Sequence, residues 1–148
     1  MLRVGTVGTS SIMRTIQEAI RLTDGMECRV VYSRTEEQGR AFAAEMGVPE
    51  HCTDYAAMLE RSDLDLIDIA SPNRFHVEQA LAALEHGKHV IVEKPAAVTR
   101  GDVQRLIDAA RANGVYFFEA ITTLFMPQYE ACRLLLPKLG CEDHQESD

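Results

Sequence analysis

The sequence reads as an α/β domain built on a doubly wound parallel sheet, and three observations lead there. Short apolar runs rich in β-branched residues alternate with segments whose apolar positions recur at helical spacing. The run at residues 64–70 is short and apolar around Ile67 and Ile69, and the run at 89–94 is β-branched, as buried parallel strands are. No repeat, low-complexity stretch or Pro/Ser-rich linker interrupts residues 2–119, so one sheet can run through them. A chain of 148 residues buries about 68–70% of its unfolded surface, enough for a core of its own. One domain is the prior.

The elements follow in order. Residues 3–7, RVGTV, form a strand that leads through Gly8 into a helix whose face is Ile12, Ile16, Ala19 and Ile20. Residues 28–34 are the second strand. Thr35 and Gln38 are spaced to cap the next helix reciprocally. Its face is Gly39, Phe42, Ala43 and Met46, and Gly47 closes it. A short helix at 54–61 precedes the strand at 64–70.

The best defined unit comes next. After Ser71-Pro72-Asn73, the residues Val77, Ala80, Leu81 and Leu84 share one helical face, Gly87 ends the helix, and HVIVEK at 89–94 is a strand. Strand, crossover helix and strand make a right-handed unit, which puts Ala70, Ser71 and Lys94 on the same edge of the sheet. Gly8 and Asn73 belong to that edge too. Asn73 suits a helix N-cap. Thr99 with Asp102 starts a helix carrying Val103, Leu106, Ile107 and Ala110, and residues 115–118 are a further strand. Cys132, Leu135, Leu136 and Leu139 form a last helical stripe, broken by Pro137.

Composition narrows the function classes. The net charge is −8 and no basic cluster is visible, so no nucleic-acid partner is expected. Four of the acids, Glu142, Asp143, Glu146 and Asp148, fall in the last eight residues without a basic neighbour, and a disordered acidic tail is expected there. Cys28, Cys52, Cys132 and Cys141 show neither a C-x-x-C pair nor a histidine at metal spacing, so reduced thiols rather than a metal site are expected. No charged leader with an apolar core opens the chain, and no apolar run approaches 18 residues. A cytoplasmic location, away from membranes, is the expectation.

The carboxyl edge of an open parallel sheet is where ligands bind. A glycine at the first strand-to-helix turn lets a phosphate approach the backbone, and the free N–H groups and positive dipole end of the helix favour its charge. The glycine fingerprint is only partly met, because Ser10 and Met13 stand where the second and third glycines would be. On this loop alone, a nucleotide site and an ordinary turn both remain open. Lys94 is the first residue to suspect of chemistry, although a lysine at a strand end is most often a solvated charge.

Taken together, these segments resemble the Gfo/Idh/MocA family of NAD(P)-dependent oxidoreductases, in its N-terminal Rossmann dinucleotide-binding domain. The resemblance is carried by Val4-Gly5-Thr6-Val7-Gly8-Thr9, Tyr32-Ser33-Arg34, Ser71-Pro72-Asn73 with His76, Gly87-Lys88-His89-Val90, Glu93-Lys94-Pro95 and Phe118-Glu119-Ala120. It runs from residue 2 to about residue 140, and the Pro-Asn-x-x-His and Glu-Lys-Pro motifs are its specific part.

The resemblance implies a cofactor site formed by Gly8, Thr9, Ser10, Ser11 and Ile12, by Ser33 and Arg34, and by Ser71, Pro72, Asn73 and His76. Glu93, Lys94, Pro95 and Glu119 are its expected other side. His76 and Glu119 also fit plain structural and solvated roles. Lys94 is the expected catalytic residue, beside the nicotinamide and the substrate. A lysine there can pass a proton to or from a substrate oxygen or hold its charge against a developing oxyanion. NADP(H) is expected in preference to NAD(H), because Ser33-Arg34 replaces the acid that binds a free ribose and a guanidinium suits a 2′-phosphate.

Residues 1–120 are expected to be the dinucleotide-binding domain, 121–140 the start of a second, substrate-binding domain, and 141–148 the tail. The chain therefore reads as a truncated member of an oxidoreductase family acting on CH–OH groups of sugars, polyols or cyclic diols. A small-molecule substrate is expected only if a second domain is supplied. The alternative is a dinucleotide-binding fragment without turnover. Apolar residues near Ile121, Leu124 and Phe125 are expected to drive self-association.

Overall fold

The structure, a computed structural model, describes residues 1–135. Leu136, Pro137, Leu139, Cys141 and the acidic tail lie outside the described residues, as do the side chains of Cys132 and Leu135.

Six strands form one parallel sheet: β1 (Leu2–Val7), β2 (Met26–Tyr32), β3 (Glu50–Cys52), β4 (Leu66–Ile69), β5 (His89–Glu93) and β6 (Phe117–Ala120). Their order across the sheet is β3-β2-β1-β4-β5-β6. The helices are α1 (Ser11–Leu22), α2 (Glu36–Met46), α3 (Tyr55–Leu59), α4 (His76–Glu85), α5 (Arg100–Asn113) and α6 (Pro127–Leu135), with single 3-10 turns at Asn73–Phe75 and Thr122–Phe125.

The side-chain period of two divides the core between the two faces of the sheet. On one face Val7, Val30, Ile67, Ile69 and Val92 pack with Leu84 and Leu106 of α4 and α5. On the other, Val4 and Leu66 meet Ile20 of α1, while Val31 meets Met13, Phe42 and Ala43 from α1 and α2. Gly5 of β1 packs against Met58, whose side chain would have to move to admit a Cβ there, 2.5 Å from its Cε atom.

Several boundaries differ from the sequence reading. β3 is a strand the sequence did not announce: it is three residues long with His51 at its centre, too short and polar for an apolar run. β2 ends at Tyr32, so Ser33 and Arg34 sit in the loop beyond it. β6 runs to Ala120 and includes Glu119. The Thr35 hydroxyl accepts from the Gln38 N–H at 3.4 Å, but among the described residues the Gln38 side chain makes no return bond.

Asn73 does not cap α4. It begins the 3-10 turn after Pro72, and it is its backbone carbonyl that receives the His76 N–H. Asp54 is the cap of α3, accepting from the Ala57 N–H at 3.0 Å.

At the amino edge of the sheet, Lys88 is buried and its Nζ donates to the carbonyls of Arg61 (2.6 Å) and Leu64 (3.0 Å). There too Arg3 grips Asp65 with two guanidinium bonds of 2.9 and 2.6 Å, which hold that carboxyl well below the usual range. Among the described residues, no helix is long and apolar enough to cross a membrane.

Asp68 lies on β4 opposite Thr6 of β1. It is buried, and its Oδ1 has no hydrogen-bond partner among the described residues. Burial, and secondarily the charge of Glu93, push its carboxyl up to about 7 from an ordinary 3.8. The folded chain therefore holds a proton that the unfolded chain has released, and stability falls as the pH rises from roughly 4 to 7. Asp68→Asn removes this titration. In urea unfolding at about pH 5 and pH 8, the parent chain should lose about 2–3 kcal/mol more than the variant over that interval, since each unit by which the folded group is raised is worth about 1.4 kcal/mol. Equal losses would contradict the assignment.

Candidate functional site

The strand order reverses between β1 and β4, so the helices that follow these strands leave toward opposite faces and a crevice opens above their ends. Two adjoining cavities occupy it. The first, of about 230 Å³, is lined by Gly8, Thr9 and Ser10 after β1, Ser33 and Arg34 after β2, and Ser71 and Pro72 after β4. The second, of about 490 Å³, includes Ile12, Asn73, His76, Glu93, Lys94 and Thr122. Ser10, Ala70, Ser71 and Pro72 line both, which makes one continuous groove from Arg34 to Lys94.

Most of the candidate residues thus come together, although they leave from four different strands. Ser11, Pro95 and Glu119 line neither cavity. Ser11 is the first residue of α1. Pro95 follows a cis peptide bond from Lys94, and its carbonyl accepts from His76 at 2.9 Å. The Glu119 carboxylate accepts the Ala96 N–H at 2.9 Å, tying β6 to the loop after β5.

The glycine turn is set by two independent constraints. Gly8 has φ of +113°, and a Cβ there would stand 2.8 Å from the Ala70 carbonyl oxygen. Side chains rarely tolerate that φ, and the close approach of the two strand ends excludes one sterically. Ser10 then caps α1, its hydroxyl accepting from the Met13 N–H at 3.4 Å. The N–H groups of Ser11 and Ile12 are left without intrahelical partners, and Ile12 lines the second cavity. Met13, standing where a third glycine would be, is fully buried in the core.

Other lining residues escaped the sequence reading. Tyr32, Gln38, Phe75 and Gln79 all border the first cavity. Gln79 is placed by the Ser71 hydroxyl, which donates to its Oε1 at 2.6 Å. The Tyr55 hydroxyl donates to the Gln79 carbonyl at 2.8 Å, and its ring tilts against Tyr32 with centroids 5.3 Å apart. Phe75, the last residue of the 3-10 turn, and Gln79, in the first turn of α4, are four residues apart, and that spacing after the Ser-Pro-Asn loop was the available signal.

No salt bridge among the described residues includes Arg34 or Lys94. Both are exposed. Two unpaired cations at opposite ends of a groove, with a helix N-terminus between them, suit an elongated anion. Gly8, Thr9 and Ser10 line the first cavity beside that helix start, so the residues present fit a dinucleotide. Among the described residues, no group of three His, Cys, Asp or Glu side chains comes together as a metal site.

A parallel sheet of this order, with a glycine turn and helix N-terminus at its reversal point, defines a Rossmann nucleotide-binding domain. The chain belongs to the Gfo/Idh/MocA oxidoreductase family with its NAD-binding Rossmann fold, whose model matches residues 2–121.

The chain is 36% identical over 140 residues to scyllo-inositol 2-dehydrogenase (NADP(+)) of Bacillus subtilis (strain 168), a match covering 95% of this chain and 43% of that protein. It is 39% identical over 116 residues to 1,5-anhydro-D-fructose reductase of Ensifer adhaerens, covering 78% and 34% respectively. Among solved structures, a 3-ketoreductase from Actinomadura kijaniata in complex with NADP and TDP-benzene superposes with a TM-score of 0.87 at 30% identity, over 93% of this chain and 42% of that one. The chain spans less than half the length of these relatives.

Proposed function

We propose that the groove binds a nicotinamide dinucleotide, NADP(H) in preference to NAD(H), for an oxidoreductase acting on CH–OH groups of sugars, polyols or cyclic diols. The observation that carries this reading is the continuity of the groove from Arg34 to Lys94 through Ser10, Ser71 and Pro72. Arg34 with Ser33 receives a 2′-phosphate through planar, charge-assisted bonds. Gly8, Thr9, Ser10 and the start of α1, with Ser11 and Ile12, hold the diphosphate.

Asn73, His76 and Glu93 surround the second cavity, Pro95 and Glu119 fix the loop that carries Lys94, and Lys94 meets the substrate oxygen. When bound, the nicotinamide gives or takes the hydride. Lys94 moves the matching proton.

The cofactor preference draws support from relatives named for NADP(+) or solved with NADP, and the substrate class from relatives named for an inositol and an anhydrosugar. Residues 1–120 are read as the cofactor domain, and residues from 121 as leading toward a substrate domain of the kind the length of the relatives implies. A second reading, a binding module without turnover, is favoured by the exposure of Lys94 to solvent.

Calorimetric titration should show tighter binding of NADPH than of NADH, and Arg34→Ala should weaken NADPH selectively by about 1.5–3 kcal/mol, the range for bonds to charged groups. Equal affinities in the parent chain would refute the preference.

The 148-residue chain should show no useful turnover with NADP⁺ and sugars, inositols or dihydrodiols, since holding the substrate in place is worth about 7–11 kcal/mol and those contacts belong to the second domain. Lys94-dependent turnover of about 1 per second or faster would contradict this. In the same preparation, self-association through Ile121, Leu124 and Phe125, which are 38%, 47% and 88% exposed, should appear in sedimentation as a mass above one chain that Phe125→Ser lowers.

A further inference from the structure

Gln79 borders the first cavity from the first turn of α4, and its side-chain amide is held from one end only. The Ser71 hydroxyl donates to its Oε1 at 2.6 Å. So short a separation suits an O–H donor on an oxygen, which centres near about 2.7–2.8 Å, better than an N–H donor at about 2.9–3.0 Å. The amide oxygen is therefore the atom turned toward Ser71. Nε2 is the other end, and among the described residues it donates to no acceptor. The side-chain nitrogens and oxygens that are both buried and unpartnered among those residues are Arg29 Nε and Asp68 Oδ1, so the Gln79 amide nitrogen is reached by solvent, at a residue that lines the cavity.

The backbone of Gln79 is fixed as well. Its carbonyl accepts the Tyr55 hydroxyl at 2.8 Å, and the Tyr55 ring rests against that of Tyr32, which lines the same cavity. Pro72 and Phe75 add further apolar wall, and Arg74 lies over the Phe75 ring at 4.6 Å. An amide donor held in place beside aromatic and apolar walls suits a flat heteroaromatic ring whose edge carries lone pairs. Adenine is such a ring, with nitrogens that accept and do not donate.

We propose that Gln79 recognises the adenine base, donating from Nε2 to a ring nitrogen, and that Ser71 is the positioning residue that keeps the amide this way round. The role rests on the function proposed above. There Arg34 receives the 2′-phosphate and the turn from Gly8 to Ser10 holds the diphosphate, and adenosine is the part of the cofactor that carries the first and joins the second. Gln79 lines the cavity that contains both ends of that span. Were the amide turned over, its oxygen would set lone pairs against the lone pair of the ring nitrogen. The Ser71 bond to Oε1 opposes that turn.

The test uses 2′,5′-ADP, the adenosine half of NADPH with its 2′-phosphate, labelled with ¹⁵N in the adenine ring and added to the full chain. One ring-nitrogen signal should shift on binding, as a nitrogen does when it accepts a hydrogen bond. Gln79→Met keeps the length of the side chain and removes the amide. It should bind 2′,5′-ADP and NADPH about 3- to 10-fold more weakly, the worth of one bond between neutral groups, and the shift should vanish. Unchanged affinity would overturn the proposal, and so would weaker binding with the shift retained, which is the signature of a purely structural role. Urea midpoints of parent and variant show that the comparison is between folded chains.

Ser71→Ala tests the positioning. In that background Gln79→Met should cost less affinity than it does in the parent, because the amide is no longer held. Equal costs would overturn the part given to Ser71. NADPH binding that is indifferent to residue 79 removes Gln79 and leaves the cofactor assignment standing, whereas a parent chain that binds neither NADPH nor 2′,5′-ADP refutes both.

Discussion

The pairing of β1 with β4 is the constraint on which the groove depends, because it joins segments some sixty residues apart, from Val4↔Leu66 to Val7↔Ile69. The Ala70 N–H continues the ladder to the Val7 carbonyl at 3.0 Å. Immediately beyond it, the two chains separate into Gly8 and Ser71. The separation is abrupt because Gly8 lacks a Cβ and the Ala70 carbonyl occupies the space one would fill. α1 and α4 are thereby sent to opposite faces of the sheet, and everything that lines the groove is placed relative to this divergence. Ser33 and Arg34 arrive through β2 on one side, Glu93 and Lys94 through β5 on the other.

Electrostatics follow from where the carboxylates are satisfied. A chain of net charge −8 would repel an anionic ligand if its acids crowded the groove, and among the described carboxylates Glu93 alone lines the two cavities. Instead Asp63 and Glu50 are bound by Arg61 and Asp65 by Arg3, near the opposite edge, and hydrogen bonds pull all three carboxyls below their ordinary range. Glu36 is held by His51 and Arg40, and Glu119 by a backbone N–H. The cations left without an ion-pair partner among the described residues include Arg34 and Lys94, at the two ends of the groove.

The parallel sheet and its helices were legible because their residues obey simple periods: Val77, Ala80, Leu81 and Leu84 repeat at helical spacing, and LDLIDIA is apolar enough to require cover on both faces. β3 was not, since Glu50-His51-Cys52 pairs through its backbone and its side chains carry no pattern. The groove was legible where function follows from being at a strand end, as for Gly8, Ser71 and Lys94.

It was obscure where position depends on a contact distant in sequence. Gln79 is aimed by Ser71 and Tyr55, and the isolated helix pattern says nothing of either. Asn73 misled for a related reason: Pro72 favours an extra 3-10 turn, so the residue with the best capping side chain is displaced by one turn from the helix it was expected to cap. His76 was visible as a buried histidine but not for its contact with the Pro95 carbonyl, because Pro95 reaches it only after β5 has crossed back.

The central claim is that one ligand spans both cavities, from the loop after β2 to the loop after β5. Mapping amide chemical-shift changes over the described residues during titration with NADPH tests it most directly. The account predicts the largest changes at residues 8–12, at Ser33 and Arg34, at Ser71 and Asn73, and at Lys94, with β3 and the Lys88 edge unmoved. Changes confined to one cavity, or centred on the amino edge of the sheet, would contradict it.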